Sequence, residues 1–248
     1  MREEPPLRAP AQSRTDWLAF ALERVTCAFP SAFARLLREP PTAQVIPRDR
    51  YRAPLSAYPR HMGVQVLPAS GRWDDFASFM VPRKPGGGGC ACMAYRNSSL
   101  DMPGRIAHMR TLCASEPGPG VLAYVDGKTA GWCSVAPKST YRALVNSRTI
   151  PHVQDEGAWS VVCFVVRPGF RSRGLMHELL EGAVGHAHAM SATALEGYPV
   201  DPGSERVDQT SGYVGTVPLF EAHGFSRVCQ TAGRRGGKPR WLLRRELP

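Results

Sequence analysis

From Gly63 onward, apolar residues recur along the chain with the spacings of strands and helices. Two apolar runs flank Asp126-Gly127, a dipeptide typical of tight hairpins. The continuous apolar run WSVVCFVV, residues 159–166, indicates a buried strand. Short apolar runs bounded by turn residues predict strands at 63–68, 120–125, 128–137, 159–166, 194–200, 226–232 and 240–247.

Helical spacing of apolar residues predicts four helices between these strands, at 71–80, 100–115, 175–190 and 217–225. The third is the longest and the most regular. Its apolar positions form one stripe: Leu175, Met176, Leu179, Leu180, Ala183, Val184 and Ala187. The fourth begins near Pro218 and closes at Gly224, residues suited to those two positions.

Residues 1–61 have a different composition. Proline- and arginine-rich segments surround 15–37, where apolar spacing is compatible with one or two short helices broken at Pro30. Such composition is typical of extended chain rather than of a packed core. We therefore predict an N-terminal extension over 1–61 and a folded domain over 62–248. Every chemical motif follows Met62, so a natural start at Met62 is a further hypothesis, testable by mass spectrometry of the native protein.

The net charge of +10 is concentrated at the two ends of the chain. Residues 1–61 carry +4 and residues 227–248 carry +6, whereas 62–226 is neutral. A nucleic-acid reader needs a basic face on a folded module, so this distribution only weakly indicates a nucleic-acid partner.

Several sequence features bear on the compartment. No apolar run approaches the roughly 20 residues that span a bilayer, and the N-terminus lacks the apolar core of a secretory signal. The seven cysteines are odd in number and widely spread, which indicates reduced thiols rather than a disulfide framework. We expect a cytoplasmic protein without a membrane partner.

The stretch RPGFRSRGLM, residues 167–176, connects the buried strand to the longest helix. Backbone N–H groups at a helix start are unpaired and lie at the positive end of the helix dipole, so they can bind an anion. Gly174 lets a ligand approach the backbone, and Arg171 and Arg173 add positive charge. Neither the G-K-[ST] nor the G-x-G-x-x-G phosphate pattern is present. From these residues alone, a phosphate site and a structural helix cap are equally open.

The segment CFVVRPGFRSRGLMHELLEGAVGHA resembles motif A of the GCN5-related N-acetyltransferases, the GNAT family. That motif is a strand, then V-x-P-x-[FY]-R-x-[KR]-G-[IVL], then a helix. This chain matches it at Val166, Pro168, Phe170, Arg171, Arg173, Gly174 and Leu175. Met176 departs from the Gly or Ala that is usual next. The hairpin LAYVDGKTAGWCSVAP and the segment LFEAHGF also resemble family segments, so the resemblance covers 63–248 and excludes 1–61.

The resemblance implies an α/β fold with a mixed, mostly antiparallel sheet, splayed at its central strand and flanked by helices. It also implies a site for acetyl-CoA, or another acyl-CoA, as the acyl donor. The pantetheine would lie along the strand at Phe164, Val165 and Val166. The pyrophosphate would lie on the turn formed by Arg171, Ser172, Arg173, Gly174, Leu175 and Met176.

Acyl transfer to an amine needs a base, because an alkylamine has a pKa near 10 and attacks only when neutral. We predict Glu196 as this base, on a strand beside the cleft with apolar neighbours that raise its pKa. A solvent-facing Glu196 is an equal alternative. Asp201 ranks lower because Asp-Pro-Gly is turn chemistry. The N–H of Phe164 or Val165 is the expected donor to the oxyanion.

The leaving thiolate takes up a proton, and the usual acid in the family is a tyrosine that corresponds to Phe220 here. We predict Tyr213 as the acid, with Tyr198 as an alternative. A thiol has a pKa of about 8.5, so loss of the usual acid need not abolish turnover. Asp155 and Glu156 are expected in a solvated loop.

Cys90, Cys92, His108 and Cys113 are four potential metal ligands, but their spacing matches no usual zinc site. We therefore expect no bound metal. The GGGG run before Cys90 is expected to be a flexible loop over the acceptor cleft. Two further expectations concern burial: surface positions for His186 and His188, and core positions for Trp132 and Trp159.

Together these features favour an N-acetyltransferase that moves acetyl from acetyl-CoA to an amine-bearing small molecule or peptide by direct attack in a ternary complex. The charge distribution gives no case for a strongly cationic acceptor such as a polyamine. A non-catalytic acyl-CoA sensor or partner-binding module is the alternative, motivated by Phe220 and Met176. A third hypothesis, nucleic-acid binding through the basic ends, predicts salt-sensitive binding.

Overall fold

One mixed sheet organises the chain. The computed structural model describes residues 60–61, 63–82, 91–205 and 207–248. The strands are β1 (Arg60–His61), β2 (Val64–Pro68), β3 (Val121–Val125), β4 (Lys128–Pro137), β5 (Trp159–Val166), β6 (Ala194–Gly197), β7 (Ser226–Arg235) and β8 (Lys238–Glu246). They pair in the order β1-β2-β3-β4-β5-β6-β8-β7. Only β5 and β6 run parallel, so the predicted mostly antiparallel sheet is confirmed.

Six α-helices lie in the described part of the chain. They are α1 (Trp73–Met80), α2 (Met102–Cys113), α3 (Arg142–Val145), α4 (Leu175–Ala189), α5 (Gln209–Gly212) and α6 (Val217–Glu221). The helix α2 begins after Asp101, whose side chain accepts a hydrogen bond from the N–H of Gly104 at 2.9 Å. The sequence pattern did not predict α3 and α5, because four residues are too few to show a helical period.

The helices cover both faces of the sheet and enclose two apolar clusters. The first cluster lies on the α4 and α6 face and includes Leu179 and Phe220, both fully buried. Gly182 brings α4 close to β2, since a Cβ there would lie 2.3 Å from Cγ1 of Val66. The second cluster lies on the α1 and α2 face and includes Trp132 and Tyr198.

Burial of individual side chains agrees with some expectations and corrects others. Trp132 and Trp159 are buried, as predicted. His186 is also fully buried, so its predicted surface position is wrong. Its Nε2 lies 3.0 Å from the carbonyl oxygen of Pro117, and its ring packs edge-on against Trp159. Burial lowers the pKa of His186 to about 4.

The described cysteines do not all conform to the expectation of reduced thiols. Four are buried and carry thiols rather than disulfides: Cys92, Cys113, Cys133 and Cys163. Cys229 is disulfide-bonded, which corrects the expectation at that position.

Cys90 and the GGGG run lie outside the described residues, as does the N-terminal extension up to residue 59. The sheet begins two residues before the predicted boundary, because β1 pairs with β2.

Candidate functional site

A cleft opens beside β5 where its pairing with β6 ends. The parallel ladder joins only three residue pairs and stops at Val161 and Gly197. At the same level, Ser134 and Val135 of β4 face Cys163 and Val161, which leaves Val162 as an extra residue in β5. This β-bulge turns Val162 and Cys163 toward the same face of the sheet. We call the space between 162–166 and 198–200 the β5–β6 cleft.

The 171–176 turn lies at the outer end of this cleft. Ser172 and Gly174 both have left-handed backbone, with φ of +58° and +73°. No side chain caps the start of α4 at Leu175, and residues 171–174 are exposed. Nε of Arg171 donates to the carbonyl oxygen of Val166 at 3.1 Å, which ties the turn to the end of β5. The turn therefore presents backbone donors and two arginines, the chemistry of an anion site.

Met176 keeps the position that the anion-site turn requires of it. Its side chain is half-buried and packs against the first apolar cluster. The position that departs from the family pattern therefore contributes its side chain to the core of α4. Its backbone stays in the first turn of the helix.

One backbone N–H on the cleft edge of β5 already donates a hydrogen bond within the protein. The N–H of Phe164 donates to the carbonyl oxygen of Tyr213 at 2.6 Å, so the expected oxyanion donor is occupied. The N–H of Arg167 donates to the carbonyl oxygen of Ala130 on the β4 side. Along a strand, successive backbone N–H groups point to opposite edges. The N–H of Val165 therefore faces β4, which corrects its predicted role as an oxyanion donor, and that of Val166 faces the cleft.

The segment that carries Tyr213 runs through the mouth of the cleft. Val200 donates its N–H to Gly215 at 3.1 Å and accepts from the N–H of Val217 at 2.9 Å. Gly215 has a φ of +81°, and a Cβ there would lie 2.6 Å from the ring of Phe220. This close approach lets the chain pass between β6 and β5.

Glu196 is fully buried in an ionic network rather than among apolar groups. One carboxylate oxygen lies 2.9 Å from Nζ of Lys138 and accepts from the Tyr198 hydroxyl at 2.7 Å. The other accepts from Nη1 of Arg244 at 3.0 Å. The Tyr198 hydroxyl also lies 3.2 Å from Oγ of Ser160. Both the expected apolar surroundings and the solvent-facing alternative are wrong for Glu196.

Asp155 belongs to the same network and is not in a solvated loop, which corrects that expectation. Its carboxylate accepts hydrogen bonds from Arg244 and Thr193. Burial alone would raise the pKa of Asp155, but these hydrogen bonds outweigh burial and hold the pKa below its usual value. Asp201 accepts from the N–H of Gly203 within a turn and pairs with Arg227, so it does not face the cleft chemistry.

Phe220 and Tyr213, the two residues weighed for the acid, have different surroundings. Phe220 is fully buried, with ring centroids of Phe164 and Phe225 at 6.1 Å and 5.0 Å. Tyr213 is half-buried, and the Arg235 guanidinium lies 4.7 Å above its ring. Burial, followed by the charge of Tyr95, raises the pKa of Tyr213, so its phenol is protonated at neutral pH.

Two residues near the cleft were missed by the sequence analysis. Nη1 of Arg240 in β8 donates to the Tyr95 hydroxyl at 2.8 Å. Tyr95 has left-handed backbone, with φ of +59°, which is uncommon for a tyrosine. Neither residue lies in a motif, and only the strand order places β8 beside the cleft.

Cys92 lies in a buried polar cluster on the same face. It accepts from the Trp132 indole N–H at 3.0 Å, and Arg96 donates to the Ser134 hydroxyl at 2.8 Å. Burial opposes ionisation of Cys92, but Cys163, Arg96 and Trp132 together lower the pKa of its thiol. Within the described ranges, no group of three or more His, Cys, Asp or Glu side chains is arranged to hold a metal ion.

Residues 91–206 match the model of the Acetyltransferase (GNAT) family. The chain is also similar to solved structures, each with 75% of this chain aligned. A GNAT-family acetyltransferase from Streptococcus pneumoniae is 15% identical over 99% of its length, with a TM-score of 0.45. The yncA protein of Salmonella typhimurium, solved with its cofactor acetyl-CoA, is 13% identical over 95% of its length, with a TM-score of 0.47. An N-acetyltransferase from Staphylococcus aureus Mu50 is 13% identical over 99%, with a TM-score of 0.47.

No curated protein matches the sequence. Among the helices of the described residues, none is both long and apolar enough to cross a membrane.

Proposed function

Since residues 91–206 belong to the GNAT acetyltransferase family, we propose that the chain is an acyl-CoA-dependent N-acyltransferase. In the proposed reaction, a neutral amine attacks the thioester carbonyl of acetyl-CoA directly, in a ternary complex. The C–N bond forms, the C–S bond breaks, CoA leaves as its thiol, and the proton of the amine passes to water. The observation that carries this proposal is that the 171–176 turn directly follows the end of β5 that contains the bulge and has separated from β6.

The 171–176 turn supports binding of the donor pyrophosphate. Left-handed backbone at Ser172 and Gly174 lets successive N–H groups converge on one ligand. The uncapped start of α4 adds the positive end of a helix of fifteen residues. Arg171 and Arg173 supply two exposed guanidinium groups beside the same turn.

The β5–β6 cleft supports binding of the pantetheine arm. Amide groups can extend the sheet along β5 at Phe164 and Val166, whose N–H groups face the cleft. The Tyr213 carbonyl occupies the first of these. We propose that it withdraws when the donor binds, which frees the Phe164 N–H to stabilise the tetrahedral oxyanion.

Tyr213 is our proposed acid for the leaving thiolate. Its raised pKa keeps the phenol protonated at neutral pH, and its half-buried side chain belongs to the segment that runs through the mouth of the cleft. Phe220 cannot take this role because its side chain has no ionisable group and is fully buried.

For Glu196 we propose a positioning role in place of the base role. Its carboxylate is fully buried, and its oxygens contact Lys138, Arg244 and Tyr198. A general base must reach the proton of the amine, directly or through one water. The network instead holds Tyr198 at the point where β6 leaves β5.

A two-stage experiment tests the proposed function. Calorimetric titration measures binding of acetyl-CoA, and a thiol-release assay then measures turnover across a broad panel of amines. We expect Arg171→Glu to weaken acetyl-CoA binding by about 100-fold, because a carboxylate beside the pyrophosphate replaces an attraction with a like-charge repulsion. Arg227→Glu, a charge change on β7 away from the turn, is the matched control and should leave the affinity unchanged. Equal affinities for the wild type and Arg171→Glu would rule out the 171–176 turn as the donor site.

The occupied Phe164 N–H and the buried Phe220 also favour a second candidate, a non-catalytic acyl-CoA sensor. A sensor would bind acetyl-CoA in the titration and release no thiol with any amine. An acyltransferase would release thiol with at least one amine, at a rate lowered by Tyr213→Phe.

A further inference from the structure

Two arginines on one face of β8 have opposite electrostatic surroundings. Arg244 pairs with carboxylates of three residues, Asp155, Glu196 and Glu246. Arg240 lies four residues earlier, is 6% exposed, and has no carboxylate partner among the described residues. Burying a cation without a counter-ion is costly, so the lack of an anion at Arg240 needs a physical reason.

The contacts that Arg240 makes with described residues are all neutral. Nε and Nη2 donate to the carbonyl oxygen of Tyr198 at 2.9 Å and 2.7 Å, and Nη1 donates to the Tyr95 hydroxyl at 2.8 Å. The only other buried arginine without a carboxylate in the described ranges is Arg96. The positive charge of Arg96 lies near the Cys92 thiol and helps to lower the pKa of that thiol.

Arg240 lies at the level where the β5–β6 cleft is open. It forms an isolated bridge with Val200, three residues past the last β5–β6 pair. Tyr95 and Tyr213 pack in the same apolar cluster as Cys163 of the β5 bulge, and Arg240 contacts the Tyr95 hydroxyl. Tyr95 and Tyr213 are half-buried, so this cluster is reached from solvent.

We propose that Arg240, with the Tyr95 hydroxyl, binds a carboxylate carried by the amine acceptor. A single uncompensated guanidinium matches the single charge of a carboxylate, and a hydroxyl beside it supplies a second donor. The acceptor class is therefore amino acids or other carboxylate-bearing amines. This inference rests on the proposed function for the amine and on the geometry of Arg240 for the carboxylate.

Matched pairs of amines test the proposal. Each pair is an amino acid and its amide, such as β-alanine with β-alaninamide and phenylalanine with phenylalaninamide. With acetyl-CoA, we expect Arg240→Gln to lower kcat/KM for the acids by roughly 30-fold or more, as when a buried ion pair loses one partner. The amides should change by less than about 3-fold, because they make no ion pair. Comparing each variant with the wild type cancels the different reactivities of the amines.

Three further variants separate this effect from misfolding. Arg245→Gln removes a charge from the opposite face of β8 and should leave both members of each pair unchanged. Arg240→Lys keeps the charge and should retain the preference for acids. Tyr95→Phe should lower kcat/KM several-fold for the acids only. An equal loss on acids and amides in Arg240→Gln, relative to the wild type, would overturn the proposal.

A binding measurement separates failure of this inference from failure of the proposed function. Saturation-transfer NMR detects the same acids and amides on the protein in the presence of CoA, without turnover. If acetyl-CoA binds but no thiol is released, the acyltransferase proposal fails. The carboxylate site then still stands if acids bind the wild type and not Arg240→Gln, and it falls if both proteins bind acids equally.

Discussion

Replacing Glu196 with glutamine removes one charge from the buried network at the base of the cleft. The carboxylate of Glu196 is the only one that contacts Lys138 among the described residues. In Glu196→Gln, Lys138 keeps only neutral partners, the Val153 carbonyl at 3.1 Å and the new amide oxygen, and loses its anion. Arg244 retains the carboxylates of Asp155 and Glu246, so only one cation is left uncompensated.

The expected cost follows from this count. Removing one partner of a buried ion pair costs about 3–5 kcal/mol. Glutamine keeps the hydrogen bond from Tyr198, so we expect the lower end, about 3 kcal/mol. For a domain of this size that lowers Tm by about 6–12 °C. The second change Lys138→Met, which removes the uncompensated cation, should restore at least about half of the lost free energy.

Denaturant unfolding followed by circular dichroism measures these values for the wild type, both single variants and the double variant. A loss below about 1 kcal/mol in Glu196→Gln, or a double variant less stable than that single variant, would refute the reasoning. Activity at a temperature where the variant is folded addresses the base role. A positioning residue leaves the acidic limb of the pH profile in place, whereas loss of a base removes that limb.

Two further predictions concern the turn and the buried histidine. Gly174→Ala should weaken acetyl-CoA binding by about 10-fold, because a Cβ at φ of +73° strains the backbone by about 1–2 kcal/mol. Gly169→Ala is the control, since a Cβ there also meets no atom within 4 Å but the backbone φ is not positive. Calorimetry should show normal acetyl-CoA affinity for this control. His186 has a folded pKa of about 4 against an ordinary 6.5, so the unfolded chain takes up the proton first as the pH falls. Protonation linked to His186 should therefore lower the free energy of unfolding by about 3 kcal/mol between pH 6.5 and 4, and His186→Gln should remove that part of the decrease. Parallel pH dependences of the wild type and the variant in denaturant unfolding would contradict this.

Most elements of the fold were predictable because their signal is local. The hairpin around Asp126-Gly127 and the apolar stripe of α4 depend on residues within one element. The observed bounds differ from the predicted ones at β6, which ends at Gly197 instead of 200. The apolar run continues to Val200, but the chain leaves β5 after Gly197 to form the cleft.

The surroundings of the candidate site residues were less predictable. Glu196 lies between apolar residues in sequence, yet its partners Lys138 and Arg244 are 58 and 48 residues away. His186 occupies a polar position of α4 but faces Trp159 and Pro117. In each case the neighbours come from strand order and packing, which a local period does not encode.

The sequence by itself determined where an anion could bind, because a glycine, two arginines and a helix start follow one another in the chain. It also determined the types of the elements around that turn. Only the tertiary structure decided that Tyr213 meets the edge of β5, that Glu196 is neutralised by cations, and that Arg240 has no carboxylate partner among the described residues. The physical reason is that backbone geometry follows from neighbouring residues, whereas charge balance follows from residues that the sheet brings together over long separations.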